Sequence, residues 1–390
     1  MTARVAINGF GRIGRSVLRI LIQRDRPDLS VVAVNDLADD DVLAYLLRYD
    51  SVMGRLDQEV ELAEGVMAVG RHEVRMLCEP DPSRLPWDEL GVDVVVESTG
   101  VFRSRSALTK HLEAGAERVI LTVPPKDALD LTLVLGVNDH LLGPDASLIS
   151  NASCTTNCLA PLAKILNDHF EIRRGLMTTV HAYTNDQRLA DVPHADLRRS
   201  RAATENIIPT STGAARAVGQ VLPELEGRLD GMAMRVPVAD GSIVDLVVEL
   251  SADVTAEELN DTVRAEAAGR FAGIVEYTEA PVVSSDIIGN PHSTVFDSGG
   301  TEVLGANLAR TLAWYDNEWG YSNRVVDLID RLAKPPALPA REGISDGSPP
   351  GSPRTAPVAG GSSPRIPRCS APTSGTGGNL RCPNRPGARD

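Results

Sequence analysis

The chain has 390 residues, 42% of them hydrophobic and 24% charged, which is enough for two domains with full cores and close to the average of soluble globular proteins. A formal net charge of −14 argues against a nucleic-acid surface as the main business of the fold. Five scattered cysteines do not make a disulfide framework, no apolar run is long enough to span a membrane, and Met1–Asn8 reads as a strand and not a signal peptide, so a reduced, cytoplasmic setting is expected.

The first third alternates short apolar strands with helices. RVAIN is followed by a helix over Gly14–Arg24 and then by VVAVND. VDVVVES, a helical stretch near Ala107–Ala114, RVILTV and LTLVLGV come later. Buried Val, Ile and Leu runs separated by helices predict a doubly wound parallel sheet of the Rossmann type. Between the first strand and helix lies Gly9-Phe10-Gly11-Arg12-Ile13-Gly14, a G-x-G-x-x-G pattern. Glycines there allow a tight turn and close backbone approach, and the helix N-terminus faces a pyrophosphate. VVAVND ends in Asp36, placed to grip a ribose 2′-hydroxyl and to repel a 2′-phosphate. The pattern therefore points to NAD and away from NADP.

After Asn151 the pattern changes. SNASCTTNCLAP places Cys154 just behind a capping Ser153, with Leu159, Leu162, Ala163, Ile165 and Leu166 continuing at helical spacing. A cysteine at a helix N-terminus sits where the macrodipole favours a thiolate. Such a thiolate can add to an aldehyde and turn a poor hydride donor into a good one. It needs a base. Among seven histidines His181, at the end of strand GLMTTV, can project into a site, whereas His72, His111, His140 and His169 read as solvated. Cys154 and Cys158 lack a second Cys/His pair, so no metal site is expected, and Cys158 reads as a small core residue. An Arg-rich loop spans about Thr184–Asn206. GMAMRVPVADGSIVDLVVEL then alternates with period two, which predicts a mixed or antiparallel sheet in an α+β second domain. Arg235 lies in that apolar stretch, where it needs a partner or a ligand. NRVVDLIDRLAK is an amphipathic closing helix. From Pro335 the chain turns to Pro, Gly, Ser and Arg with a net charge of +4, a composition that cannot bury enough apolar surface to fold.

ASCTTNCLAP, HAYTNDQ, NIIPTSTGAA, GMAMRVP and WYDNEWGYSNRVVDL, together with INGFGRIGR, YDSVMGRLD and VVVESTG, closely resemble the phosphorylating, NAD-dependent glyceraldehyde-3-phosphate dehydrogenases of bacterial type. The resemblance covers about Arg4 to Lys334. It implies an NAD-binding domain over residues 1–153, completed by a helix at about 319–334, and a catalytic domain over 154–318. It implies that Cys154 is the nucleophile and His181 its base. Ser153, Thr155, Thr184, Arg199, Thr212, Gly213 and Arg235 match residues of the two pockets that hold the substrate phosphate and inorganic phosphate. Gly9, Gly11, Arg12, Ile13, Gly14, Asp36, Thr122 and Asn317 match the cofactor side, Asn317 as the holder of the nicotinamide carboxamide. Val192-Pro193 resembles the apolar-Pro pair of NAD-using members.

The partners so implied are glyceraldehyde 3-phosphate, inorganic phosphate and three further copies in a homotetramer, with no membrane and no nucleic acid for the folded core. Pro80, Pro125 and Met53 depart from frequent family choices without removing a catalytic group. Two other readings stand beside this one: an erythrose-4-phosphate dehydrogenase, against which HAYT and STGAA count, and a regulatory or interaction role through the tail, which carries Cys369 and Cys382.

Overall fold

The computed structural model describes residues 2–333; the Pro/Gly/Ser/Arg-rich tail, with Cys369 and Cys382, lies outside the described residues. In the first half the order is β1 (Ala3–Asn8), α1 (Arg12–Arg24), β2 (Leu29–Asn35), α2 (Asp40–Arg48), β3 (Tyr49–Asp50), β4 (Gly54–Arg55), β5 (Val60–Ala63), β6 (Val66–Val69), β7 (His72–Leu77), β8 (Val94–Glu97), α3 (Arg105–Glu113), β9 (Arg118–Leu121), β10 (Leu131–Thr132) and β11 (Leu148–Ser150). Nine of these strands make one sheet in the order β10-β11-β9-β8-β1-β2-β7-β6-β5. Pairing is parallel from β10 to β7 and antiparallel only at the β7-β6-β5 edge. The Rossmann-type sheet expected from the Val/Ile/Leu runs is present. β1 is the switch point: the chain leaves it toward β2 on one side and β8 on the other, which opens a crevice at the strand ends.

The second half runs α4 (Cys154–Phe170), β12 (Ile172–Ala182), β13 (Ile208–Ser211), α5 (Ala214–Val221), β14 (Leu229–Val236), β15 (Ser242–Leu250), α6 (Ala256–Ala268), β16 (Val275–Thr278), α7 (Ser284–Ile287), β17 (Thr294–Leu304), β18 (Leu308–Tyr315) and α8 (Trp319–Ala333). Its seven-stranded sheet, β13-β14-β12-β15-β18-β17-β16, is mixed: β12 pairs parallel with β14 and antiparallel with β15. The alternation read in β15 is real, since its burial switches at every residue from Ser242 to Leu250. Helix α4 packs its buried Leu159, Leu162, Ile165 and Leu166 against this sheet. The closing helix α8 returns to the first sheet, where Val325, Val326, Leu328 and Ile329 join its core and Asp327 and Asp330 pair with Arg24 and Arg26.

Three expectations need correcting. LTLVLGV pairs only at Leu131–Thr132; its remaining apolar residues Leu133, Val134, Leu135 and Val137 are buried in a turn held by Asn138, whose side-chain oxygen accepts from Val134 N at 2.8 Å. The first helix starts at Arg12, one turn's edge earlier than Gly14, and the third at Arg105. His72 and His111 are not solvated. Each is buried: His72 Nδ1 accepts from Val31 N, and His111 is clasped between Trp87 and Glu97.

Candidate active site

The glycine loop is shaped by what cannot fit. Gly9 adopts φ +91°, and a Cβ there would come within 2.6 Å of Thr99 N; a Cβ on Gly14 would sit 2.2 Å from Gly9 O. Gly11, by contrast, faces open space and caps α1 without any side-chain hydrogen bond, so the first N–H groups of α1 point into the crevice unclaimed by a cap. Asp36 is fixed at the crevice rim, its two oxygens accepting from Phe10 N at 2.7 Å and Ala38 N at 3.0 Å. These features fit a dinucleotide: a side-chain-free cradle, a helix dipole for the pyrophosphate and a carboxylate for a ribose. A cleft of about 520 Å³ holds Gly9, Gly11, Arg12, Ile13, Asp36 and Pro80. A second compartment, about 450 Å³, shares Arg12, Ile13 and Thr99 with it and contains Thr122, Ser153, Cys154, His181, Thr184 and Asn317. Arg12 is anchored, not free: it pairs with both Asp50 and Glu318, and these acids hold its guanidinium firmly charged against the opposing effect of burial. Thr122 turns its hydroxyl to Glu97 O at 3.0 Å. Asn317 Oδ1 accepts from Ser242 Oγ at 2.6 Å, which fixes the amide and leaves its NH₂ as the donor.

The helix that Cys154 opens begins with strain. Ala152, a non-glycine residue, takes φ +54°, and the chain turns sharply from β11 into α4. The turn is pinned by Ser150 Oγ accepting from Ala152 N and by Tyr321 OH donating to Ala152 O. Ser153 caps α4, its Oγ accepting from Thr156 N at 3.0 Å. Cys154 Sγ then lies 3.5 Å from His181 Nε2. His181 Nδ1 lies 2.7 Å from Ala182 O and also 2.7 Å from Arg235 NH1, which itself donates to Ala182 O at 3.0 Å. Nδ1 faces both a donor and an acceptor: as N–H it donates to Ala182 O and leaves Nε2 the lone pair facing the thiol, as a lone pair it accepts from Arg235 and places the proton on Nε2, and action as a base at Nε2 requires the first tautomer. Burial, seconded by the Arg235 charge, pushes the imidazole down to about 3, so the ring is neutral. Burial pushes the Cys154 thiol up while Arg235 pulls it down. At Cys154, then, burial opposes the Arg235 charge and the helix terminus, both of which favour a thiolate. Cys158 is fully buried one turn on, as a core residue.

The other residues singled out fall into two groups. Ser153, Thr212 and Gly213 line an adjoining groove together with Thr156, Arg103, Lys126 and Arg216. Thr184, Arg199 and Arg235 gather on the opposite side: Arg235 NH1 reaches Thr184 Oγ1 at 3.4 Å, and Arg199 pairs with Asp186, the acceptor of the Thr184 hydroxyl. Thr155 differs from its neighbours. Its hydroxyl turns inward to Tyr315 OH at 2.8 Å, so only its backbone is available to an anion. Sequence reasoning missed Thr156 and Arg216. Arg216 lies on the first turn of α5, three residues after the expected Gly213, a spacing that could have marked it.

Sequence models of known families match the chain twice: the glyceraldehyde 3-phosphate dehydrogenase NAD binding domain over residues 3–105, and the glyceraldehyde 3-phosphate dehydrogenase C-terminal domain over residues 153–317. The chain belongs to the glyceraldehyde-3-phosphate dehydrogenase family. Among its relatives are the glyceraldehyde-3-phosphate dehydrogenase of Mycobacterium leprae, 54% identical over 339 residues (86% of this chain and 99% of that protein), and that of Borreliella burgdorferi, 56% identical over 338 residues (85% and 100%). The glyceraldehyde-3-phosphate dehydrogenase of Mycolicibacterium smegmatis is 53% identical over 340 residues, 86% of this chain and 99% of that protein. Both halves of the cleft, the glycine loop and the Cys154/His181 pair, fall inside the matched segments.

Proposed function

We propose that the chain oxidises D-glyceraldehyde 3-phosphate with NAD⁺ and inorganic phosphate to 1,3-bisphosphoglycerate, the glycolytic and gluconeogenic reaction. The observation that carries this reading is the Cys154–His181 pair at 3.5 Å, set in the same compartment as the cofactor-side residues Ile13, Thr122 and Asn317. Residues 1–153 with the helix at 319–334 form the cofactor half, and residues 154–318 the catalytic half.

Cys154 Sγ attacks the aldehyde carbon as its proton passes to His181 Nε2, and the resulting imidazolium donates a hydrogen bond to the carbonyl-derived oxygen. When bound, NAD⁺ supplies the acceptor for the hydride that leaves this carbon. Asn317 holds the carboxamide, Asp36 the ribose, and the loop from Gly9 to Gly14 the pyrophosphate. Collapse of the hemithioacetal oxyanion leaves a thioester on Cys154 and returns the proton to solvent through His181. Arg235, Thr184 and Arg199 hold the substrate phosphate, the two planar guanidiniums being suited to bidentate contact, while Ser153, the Thr155 backbone, Thr212 and Gly213 hold inorganic phosphate. A phosphate oxygen attacks the thioester as its proton passes to His181, the C–S bond breaks, and His181 hands that proton to the departing Cys154 sulfur. Exclusion of water preserves the acyl phosphate as the product.

A homotetramer is supported by apolar side chains left bare on this single chain: Leu189 is 77% exposed and Leu197 82% exposed, both in the Arg-rich loop that includes Val192-Pro193. No described helix is long and apolar enough to cross a membrane. The test is NADH formation from glyceraldehyde 3-phosphate and NAD⁺, with and without phosphate, for the native chain and Cys154→Ser. Phosphate-dependent turnover that the variant lacks is expected; equal rates without phosphate would contradict the phosphorolysis step.

A further inference from the structure

Behind Asn317 lie two acids that the mechanism does not use. Asp240 and Asp316 are buried, at 0% and 1% exposure. They meet because β15 and β18 pair antiparallel up to Ser242 opposite Tyr315, and the next residues beyond that pair bring Asp240 against the Asp316–Asn317 backbone. Asp316 is an acceptor throughout. Its Oδ1 takes N–H groups from Glu318 and Trp319 at the start of α8, and its Oδ2 takes Gly289 N at 2.7 Å. Asp240 is half used. Its Oδ1 accepts from Gly241 N at 2.8 Å and from Asn317 N at 3.3 Å, whereas its Oδ2 is buried with no donor to satisfy it. An ionised Asp240 would leave that oxygen stranded beside a second carboxylate. A protonated Asp240 makes the same oxygen a donor toward Asp316.

We propose that Asp240 and Asp316 share one proton, carried by Asp240 and donated to the Asp316 carboxylate, and that this pair positions Asn317 for the cofactor amide. The inference rests on the reading of Asn317 as the carboxamide holder. Burial, then the charges of Asp316 and Glu318, push the Asp240 carboxyl far above the usual carboxylate range. The other groups around the pair do not offset this. Glu318 is engaged by Arg12, and the Cys154 thiol across the site is pushed up by burial and so adds no positive charge. Asp286, the acid of the helix packed on Gly241, turns back to Val283 N. On the neighbouring strand β12, Ala182 N donates to Ser242 Oγ, which in turn donates to Asn317 Oδ1, so the amide is held from its side chain by Ser242 and from its backbone by Asp240. His181 and Arg235 lie on the far side of that contact, with Arg235 NH1 2.7 Å from His181 Nδ1. Two like charges in such a place cannot both persist, and one proton resolves them. Asp240 and Asp316 touch no reacting atom; they are positioning residues.

The test is an infrared difference spectrum of the cofactor-free protein at neutral pH, native minus Asp240→Asn, joined to equilibrium NAD⁺ titrations between pH 6 and 10. The expected spectrum contains the carbonyl stretch of a protonated carboxylic acid. The expected native affinity for NAD⁺ falls roughly tenfold toward alkaline pH as the shared proton is lost, while Asp240→Asn, which keeps a donor and cannot ionise, stays flat. Asp240→Ala, which removes the donor, weakens NAD⁺ binding across the range with no alkaline limb. A native spectrum without that band, or an Asp240→Asn variant with the native alkaline limb, would overturn the shared proton. Asn317→Ala separates the two readings: unchanged NAD⁺ affinity there, with the carboxylic acid band intact, would overturn the positioning of the cofactor and not the proton.

Discussion

The crevice over β1 and the centre around Cys154 solve binding in opposite ways. The crevice works by omission: Gly9 and Gly14 leave no room for a Cβ, Gly11 leaves the α1 N-terminus open, and one carboxylate marks the rim. In the proposed function backbone does the recognition there, and little polar side chain has to be buried for it. The Cys154 centre works by accumulation. A buried imidazole pushed down to about 3 lines the compartment, and behind its walls stand a guanidinium set against that imidazole, a strained Ala152 next to Ser153 and the Asp240–Asp316 pair next to Asn317. Each is costly by itself and is held by its neighbours. The difference teaches that the cofactor half can be formed by local chain geometry, whereas the catalytic half depends on groups far apart in sequence being satisfied together.

Three changes would break or sharpen that contrast. The largest effect is expected from His181→Asn, which removes the base but keeps a polar side chain: turnover should fall by roughly 10²–10⁴-fold with the NAD⁺ dissociation constant almost unmoved, read from steady-state rates and a cofactor titration. A parallel loss of NAD⁺ affinity would show that the two halves are not separable. A smaller effect is expected from Asp36→Asn. Losing the charged acceptor on the crevice rim should weaken NAD⁺ by about tenfold and narrow the preference over NADP⁺, with the rate at saturating cofactor retained. A fall in saturated rate instead would give Asp36 a part in the chemistry. The smallest concerns stability in acid. The folded imidazole of His181 lies below its unfolded value, so the native state binds fewer protons between the two, and stability is lost as pH falls from about 6.5 toward about 3. Thermal melts at pH 7 and pH 4.5 should show a smaller acid-induced drop for His181→Asn than for the native chain.

What could be read in the sequence divides along the same line. Gly9 to Gly14, Asp36, and the Ser153-capped helix with Cys154 and Cys158 are local patterns, and the structure has the elements that those patterns require. The alternation in β15 likewise announces a half-buried strand. Burial imposed from a distance was not legible. His111 looks like a surface residue on a polar helix until Trp87 Nε1 donates to its Nδ1 at 3.0 Å and Glu97 faces its Nε2 at 3.1 Å. LTLVLGV has the composition of a strand, yet its second part is a buried turn because Asn138 supplies the hydrogen bond that a neighbouring strand would otherwise give. Thr155 belongs to the motif around the nucleophile, but Tyr315, 160 residues on, draws its hydroxyl inward. Asp240 carries no sequence signal of a neutral acid; only its approach to Asp316 gives it one.

The most direct test of the central claim is a rapid-mixing measurement of NADH from glyceraldehyde 3-phosphate and NAD⁺ without phosphate. A burst of one NADH per Cys154, followed by a stall that added phosphate releases, is the result this account predicts. Sustained turnover without phosphate, or a burst that survives in Cys154→Ser, would contradict it.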